Sequence, residues 1–423
     1  MNESDPALPF SALGLAPALA QAAAAQGFAQ PTPVQAAAIP LLLQGRDLRA
    51  SAPTGSGKTA AFVLPLLQAW MQTPRQQPRR LHTLVLVPTR ELATQVAEQV
   101  QALVAALPEP PRLVRAIGGV SINPQMLALR GGADIVVATP GRALDLITRH
   151  ALRPDGLRAL VLDEADRLLD LGFADELQLL LRRLPAQRQT LLFSATFPPA
   201  VQALADGLLH APAQVEAPAA QRVALPDIVQ RAIVVDTGRR TQLLRHLIAA
   251  HGWPQVLVFV ATKLACETVA AKLRKAGLAA EPLHGQLSQG KRSQVLADFK
   301  AARVQVMVAT DLAARGIDIA QLPAVVNFDL ARSPTEHVHR IGRTGRAGAS
   351  GVALSFVPAA AEAHFRLIEK RQGLAVPREQ VPGFEATEAA PPVVSDPQGG
   401  IKGRRPSKKD KLRAAAAAAA AKP

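Results

Sequence analysis

Residues 51–62, SAPTGSGKTAAF, follow the phosphate-loop pattern GxxxxGK[ST] with Ala52 in place of the first glycine. Gly55 and Gly57 let the backbone wrap against phosphate oxygens with its N–H groups turned inward, and the Thr54–Thr59 run forms the cradle. Lys58 would neutralise charge on the β and γ phosphates, and the Thr59 hydroxyl would ligate Mg²⁺. Such a loop needs an acid at the end of another apolar strand. Residues 159–170, ALVLDEADRLLD, supply Asp163 for the Mg²⁺ water shell and Glu164 to orient or deprotonate the attacking water. Together the two stretches imply an NTPase. A third stretch, HRIGRTGRAG at 339–348, places three arginines and three glycines behind a histidine. Alone it reads equally as a nucleic-acid patch, a charged loop or part of an active site.

The elements that must position these residues repeat along the chain. Apolar runs TLVLVP (83–88), DIVVAT (134–139), ALVLDE (159–164) and TLLFSAT (190–196) read as buried strands of a parallel sheet. Between them Leu92, Val96, Val100, Leu103 and Leu107 recur at helical spacing. The alternation restarts with VLVFVAT (256–262), VQVMVAT (304–310), AVVNFDL (324–330) and GVALSFV (351–357). Alternating strand and helix predicts two α/β domains. The boundaries expected are a first domain over 1–216, a linker over 217–226, a second domain over 227–372 and a disordered basic, Ala-rich tail over 373–423. Arg49 is out of place in a buried strand and is expected at a strand end.

At 423 residues the chain is too long for one core. Its net charge of +15 points to a polyanionic partner, of which nucleic acid is the commonest. Seven Lys/Arg against one Asp in 401–413 account for much of it, as a polyanion grip or as a solubilising tail. Aromatics are only 3% of the chain, which disfavours base-stacking modules and leaves the nucleic-acid backbone as the handle. The single cysteine, Cys266, excludes an intrachain disulfide and a Cys-based metal cluster. The N-terminus lacks the basic region of a signal peptide, and no apolar run reaches membrane-spanning length, so a cytoplasmic protein is expected.

Asp163-Glu164-Ala165-Asp166 spells D-E-A-D, and from Phe10 to Gly348 the chain resembles the DEAD-box RNA helicases of helicase superfamily 2. The resemblance implies two tandem RecA-like parallel-sheet domains. GFAQPTPVQ (27–35) is similar to the family's Q motif, which implies that Gln35 reads adenine, that Phe28 and Phe10 flank the ring, and that the nucleotide is ATP. It assigns Lys58, Asp163, Glu164, Arg343 and Arg346 to catalysis, and Ser56, Gly316 and Asp318 to the nucleotide alongside the loop. Thr89, Arg90, Gly119, Thr139, Arg142, Arg292 and Thr310 fall in segments resembling the family's RNA contacts. Asp166, Ser194, Thr196, His339 and Arg340 fall in segments that couple ATP to the domain interface. His337 stands where relatives commonly carry Tyr.

The expected activity is ATP-dependent RNA unwinding: RNA-stimulated ATP hydrolysis with Mg²⁺, local opening of short duplexes and RNP remodelling through opening and closing of the two domains. A kinase or transporter ATPase leaves the second domain's motifs unexplained. An RNA clamp without ATPase conflicts with Lys58, Glu164 and Arg346, and a DNA helicase stays a competing reading. The core and PREQVPGFE (377–385) loosely resemble the bacterial RhlE-type group. A monomeric core is expected, with ribosomal or RNA-degradation complexes as candidate partners.

Overall fold

A computed structural model of the chain describes residues 9–52, 56–105, 107–216, 228–314, 322–345 and 351–388. Domain one holds β1 Leu48–Ser51, β2 Thr83–Leu86, β3 Leu113–Ala116, β4 Ile135–Ala138, β5 Ala159–Leu162, β6 Gln189–Ser194 and β7 Ala213–Glu216. They form one parallel sheet in the order β3-β4-β2-β5-β6-β1-β7. Domain two holds β8 Ile228–Val234, β9 Val256–Val260, β10 Ala280–Leu283, β11 Val306–Thr310, β12 Ala324–Asn327, β13 Gly351–Val357 and β14 Arg378–Glu379. Its order, β10-β11-β9-β12-β13-β8-β14, repeats that of domain one strand for strand.

Burial follows position in the sheet. The central strands β2, β4 and β5 are buried along their whole length, because helices cover both faces. Val85, Val137 and Val161 point into one core, and Leu84, Val136 and Leu160 into the other. The edge strand β7 instead alternates buried and exposed residues. Ligand-binding loops of such sheets leave the C-terminal strand ends, and the crossover helices hold those loops in place.

Two expectations are corrected. Arg49 lies inside β1, where its guanidinium stacks 4.1 Å from the Phe197 ring and so avoids a bare buried charge. The stretch 373–388, expected to open a disordered tail, is folded onto domain two. Its β14 completes the sheet beside β8, and Arg378 pairs with Glu362 at 3.0 Å and with Glu369 at 2.8 Å. Val381 is buried, and Asp236 accepts backbone N–H bonds from Thr387 and Glu388. Ion pairs and an edge strand anchor a stretch too poor in apolar residues to read as structure. The predicted linker and residues 389–423 lie outside the described residues.

Candidate active site

The helix Lys58–Met71 starts directly after the phosphate loop, with Gly57 as its N-cap at φ +89°. A Cβ on Gly57 would lie 2.5 Å from Gln35 Nε2, so both conformation and space demand glycine. Gln35 is buried and donates from Nε2 to the Gly57 carbonyl at 3.0 Å, while its Oε1 accepts from Thr32 N–H at 2.8 Å. Thr32 Oγ1 donates to the Ser56 carbonyl. The Q-motif residues thus brace the loop directly. Each group of the Gln35 amide retains one more hydrogen-bonding position. Phe10 and Phe28 lie together, ring centroids 6.5 Å apart. Thr54 and Gly55 lie outside the described residues.

Lys58 Nζ is buried, sits 3.5 Å from Asp163 Oδ1, and has no hydrogen-bond partner among the described residues; the buried Ser56 hydroxyl lacks one there too. An unsatisfied buried ammonium is costly unless an anion completes it, so the loop fits a phosphate chain. Among the described residues no three acidic, His or Cys side chains gather to hold a metal by themselves. The Asp163 carboxylate beside Lys58 is a hard oxygen donor that fits Mg²⁺, which takes one or two protein oxygens and completes its shell with water and phosphate.

Asp163 and Glu164 follow β5 but are set apart electrostatically. Burial raises the Asp163 carboxyl above its ordinary value, against the pull of Lys58. Burial also pushes Glu164 up, yet Arg167, Lys58 and Arg343 outweigh it and hold Glu164 below its ordinary value. Glu164 adopts a left-handed conformation at φ +53°, rare for a residue with a side chain, and Arg167 donates to its Oε2 at 2.8 Å. Asp166 Oδ2 accepts from Thr196 N–H at 3.0 Å and from Thr196 Oγ1 at 2.8 Å, while Ser194 Oγ accepts from Asp166 N–H. These bonds tie the end of β6 to the acidic turn after β5.

Domain two closes over this corner. A small cleft has Arg167 and Asp170 on one side and His339 and Arg343 on the other. His339 is pushed down to about 4, first by burial and then by Arg167, with Arg343 adding and Asp166 and Glu164 opposing. It is therefore neutral at pH 7. Arg340 is fully buried within domain two. It forks onto Asp311 at 2.6 and 2.7 Å and bonds Asn327 Oδ1 and the Asp329 carbonyl. Its bonds thus brace the turn after β11 instead of reaching across the cleft. Gly316, Asp318 and Arg346 lie outside the described residues.

A second groove, of about 640 Å³, also spans the domains. Thr89, Arg90, Gly119, Thr139 and Arg142 line it from domain one, and Arg292 and Leu312 from domain two. Gly119 adopts φ +69°, which favours glycine, and its missing Cβ leaves the space that the Arg90 guanidinium fills. Arg142 donates to the Val120 carbonyl at 2.7 Å, while its buried Nε and Nη1 have no hydrogen-bond partner among the described residues, Nε lying 4.0 Å from the exposed Asp145 carboxylate. Such orphaned donors suit phosphate oxygens. Arg292 forms an ion pair with Glu91 across the groove at 2.8 Å, with both side chains buried. Thr310 ends β11, two residues before Leu312. Sequence reasoning missed Arg167, Glu91 and Asp311. The i,i+3 spacing of Glu164 and Arg167 could have found the first. The partners of the other two are distant in sequence or hidden inside a domain.

Two sheets of one topology, with a phosphate loop and acidic turn in one and Arg343 of the other in the cleft beside that turn, define a two-domain enzyme driven by a nucleotide. Residues 32–204 match the family model described as DEAD/DEAH box helicase, and residues 239–348 match the helicase conserved C-terminal domain. The ATP-dependent RNA helicase CshA of Listeria monocytogenes is 39% identical over 361 residues, covering 85% of this chain and 68% of that protein. The ATP-dependent RNA helicase DbpA of Escherichia coli is 45% identical over 330 residues, covering 78% and 71%. The solved structure of Saccharomyces cerevisiae Dbp5 bound to RNA and ADP BeF3 superposes with a TM-score of 0.76 at 32% identity, covering 88% of this chain and 95% of that one. The chain belongs to the DEAD-box family of ATP-dependent RNA helicases.

Proposed function

We propose that ATP binds between Lys58 and Arg343, with RNA in the adjoining groove, and that closure of the cleft couples the two. Gln35 reads the adenine edge, and Phe28 and Phe10 pack near the base. Lys58 takes the β and γ phosphates. Thr59 and Asp163 would hold Mg²⁺, which would supply charge neutralisation at the phosphates. Glu164, ionised and steered by Arg167, orients the attacking water. Arg343, together with Arg346, stabilises charge on the transferring phosphoryl group, which requires domain two to be closed. Thr196 and Ser194 sense that state through Asp166.

The groove holds one strand by its backbone. Thr89, Arg90, Gly119, Thr139 and Arg142 contact phosphates and sugars, and Thr310 does so from the other side, so sequence preference from the core is low. Arg292 acts through Glu91 to hold the groove closed. ATP tightens the grip on RNA and RNA promotes hydrolysis, because coupling between binding sites is reciprocal. Closure pries short duplexes apart locally, and hydrolysis reopens the cleft. No helix among the described residues is long and apolar enough to cross a membrane, and we propose that the enzyme works as a monomeric core in the cytoplasm.

The observation that carries this reading is the cleft that brings His339 and Arg343 of domain two beside Arg167, which itself holds Glu164 at 2.8 Å. Steady-state ATPase measured with no polymer, with single-stranded RNA and with DNA tests it. Strong stimulation by RNA and little by DNA is expected. Equal rates in all three would sink it.

A further inference from the structure

The end of domain one away from the cleft carries its own concentration of charge. The loops that enter β1 to β6 contain twelve arginines against four carboxylates among the described residues. Residues 401–423 hold eight Lys/Arg and one Asp, so the +15 of the whole chain leaves +8 for residues 1–400. The rear loops alone match that excess. Their carboxylates are already engaged. Glu109 pairs with Arg75, Asp134 with Arg79 and Asp155 with Arg80, and Asp47 accepts backbone N–H bonds from Thr190 and His210. Arg130, Arg149 and Arg153 are exposed and have no partner among the described residues.

Three grooves of about 580, 690 and 340 Å³ run across this face. The first and second share His150, Leu152 and Arg153, and the second and third share Asp155, so they form one track. Arg130 and Arg149 stand on the first groove, Arg183 on the second and Arg158 on the third. A continuous track of basic side chains is the arrangement that follows a phosphate backbone. Apolar residues lie in each groove, such as Leu129 in the first, Ile147 in the second and Leu157 in the third, but arginines interrupt them in all three, which suits a polyanion better than the apolar face of an amphipathic helix.

We propose that the rear face of domain one is a second RNA-binding surface, holding the backbone of RNA that flanks the strand in the cleft. The helicase then grips a structured substrate at a fixed point while the cleft opens and closes on the adjoining segment. Strands of four to six residues span about 13–20 Å and their loops extend beyond them, so flanking RNA needs on the order of ten nucleotides to pass from one end of the domain to the other. Short RNA therefore fills the cleft alone, and long RNA reaches both surfaces. The proposal rests on RNA being this enzyme's polymer. Failure of that reading would show separately, as absence of ATPase stimulation by short RNA.

The test uses the full chain with Arg130, Arg149 and Arg153 all changed to Ala, and single-stranded RNAs of ~10 and ~40 nucleotides with a non-hydrolysable ATP analogue. For the long RNA, affinity should fall about tenfold near ~0.1 M salt. The slope of log K against log salt should shrink by about 2, as three lost contacts at roughly 0.7 each require. Affinity for the short RNA, and the ATPase it stimulates, should be unchanged. Long-RNA affinity and slope equal to those of the unaltered protein would overturn the proposal, and so would equal losses for both lengths. Loss of polyglutamate binding alone would assign the face to an acidic protein and likewise overturn it.

Discussion

In domain one the first helix after β1 begins at Lys58, and in domain two the first helix after β8 begins at Arg240. Asp163 donates its backbone N–H to the Leu86 carbonyl of β2, and Asp329 makes the matching bond to Phe259 of β9. The two sheets therefore set a cation and a carboxylate at the same corner. What happens there differs. Lys58 stays 3.5 Å from Asp163, with a glycine turn beside it and no hydrogen-bond partner among the described residues. Arg240 closes onto Asp329 at 2.6 Å, donates to the Phe328 carbonyl and stacks on the Phe328 ring. Beside it Asp236 caps residues 387 and 388. One corner is left electrostatically unfinished and so can take a phosphate chain. The other has satisfied its own charges and serves the fold. A shared topology thus specifies where a site can be, and local satisfaction of charge decides whether one exists.

The largest expected effect lies at the live corner. Changing Glu164 to Gln should lower kcat by roughly 10²–10⁴-fold while ATP and RNA still bind, so that the closed complex accumulates. Normal hydrolysis would remove Glu164 from catalysis. Next comes the direct contrast of the twin cations. Lys58→Ala should lower kcat by roughly 10²–10³-fold with little change in Tm. Arg240→Ala should leave kcat per folded molecule within about twofold and cost about 1–3 kcal/mol of stability in urea unfolding. If both variants lose activity equally, the second corner is not merely structural.

A smaller effect tests how the domains are held together. Glu91 and Arg292 are a buried pair across the groove, so a double-mutant cycle on RNA affinity should return a coupling of about 1–2 kcal/mol. Additive losses would mean that the two residues act separately.

The smallest effect is a pH dependence of stability with sources in both domains. Burial pushes His82 in domain one and His337 and His339 in domain two down to about 4. Unfolded, all three would titrate near about 6.5. Between those values the unfolded chain takes up protons that the folded chain refuses, so stability is full above about pH 6.5 and falls until about pH 4, by up to about 3 kcal/mol per histidine. His337 packs edge-on to Phe365. His337→Phe should remove roughly a third of the acid loss, read from the change in unfolding free energy between about pH 7 and pH 5. An unchanged slope would show that His337 does not contribute.

The chemistry of domain one was legible because its residues are contiguous: a loop, a strand end and a Q motif each carry their meaning within about ten positions. The central strands were legible because burial on both faces writes an unbroken apolar run, as in β4 and β5. The edges were not. In β7 alternate residues face solvent, and β14 is only Arg378 and Glu379, held by side-chain ion pairs that no hydropathy pattern encodes. The matching order of the two sheets was also hidden, since the strands share topology and not residues. Long-range satisfaction was the least visible part. Nothing in HRIGRTGRAG separates Arg340, spent on Asp311 and Asn327, from Arg343, which faces Glu164.

That last distinction gives the most direct test. Single-turnover ATP hydrolysis, measured with enzyme in saturating excess over ATP and with or without single-stranded RNA, compares the unaltered enzyme with Arg343→Ala. Completion of the site by domain two predicts that this variant binds ATP and RNA but loses RNA stimulation by roughly 10²-fold or more. Stimulation equal to that of the unaltered enzyme would show that domain two does not complete the active site through Arg343.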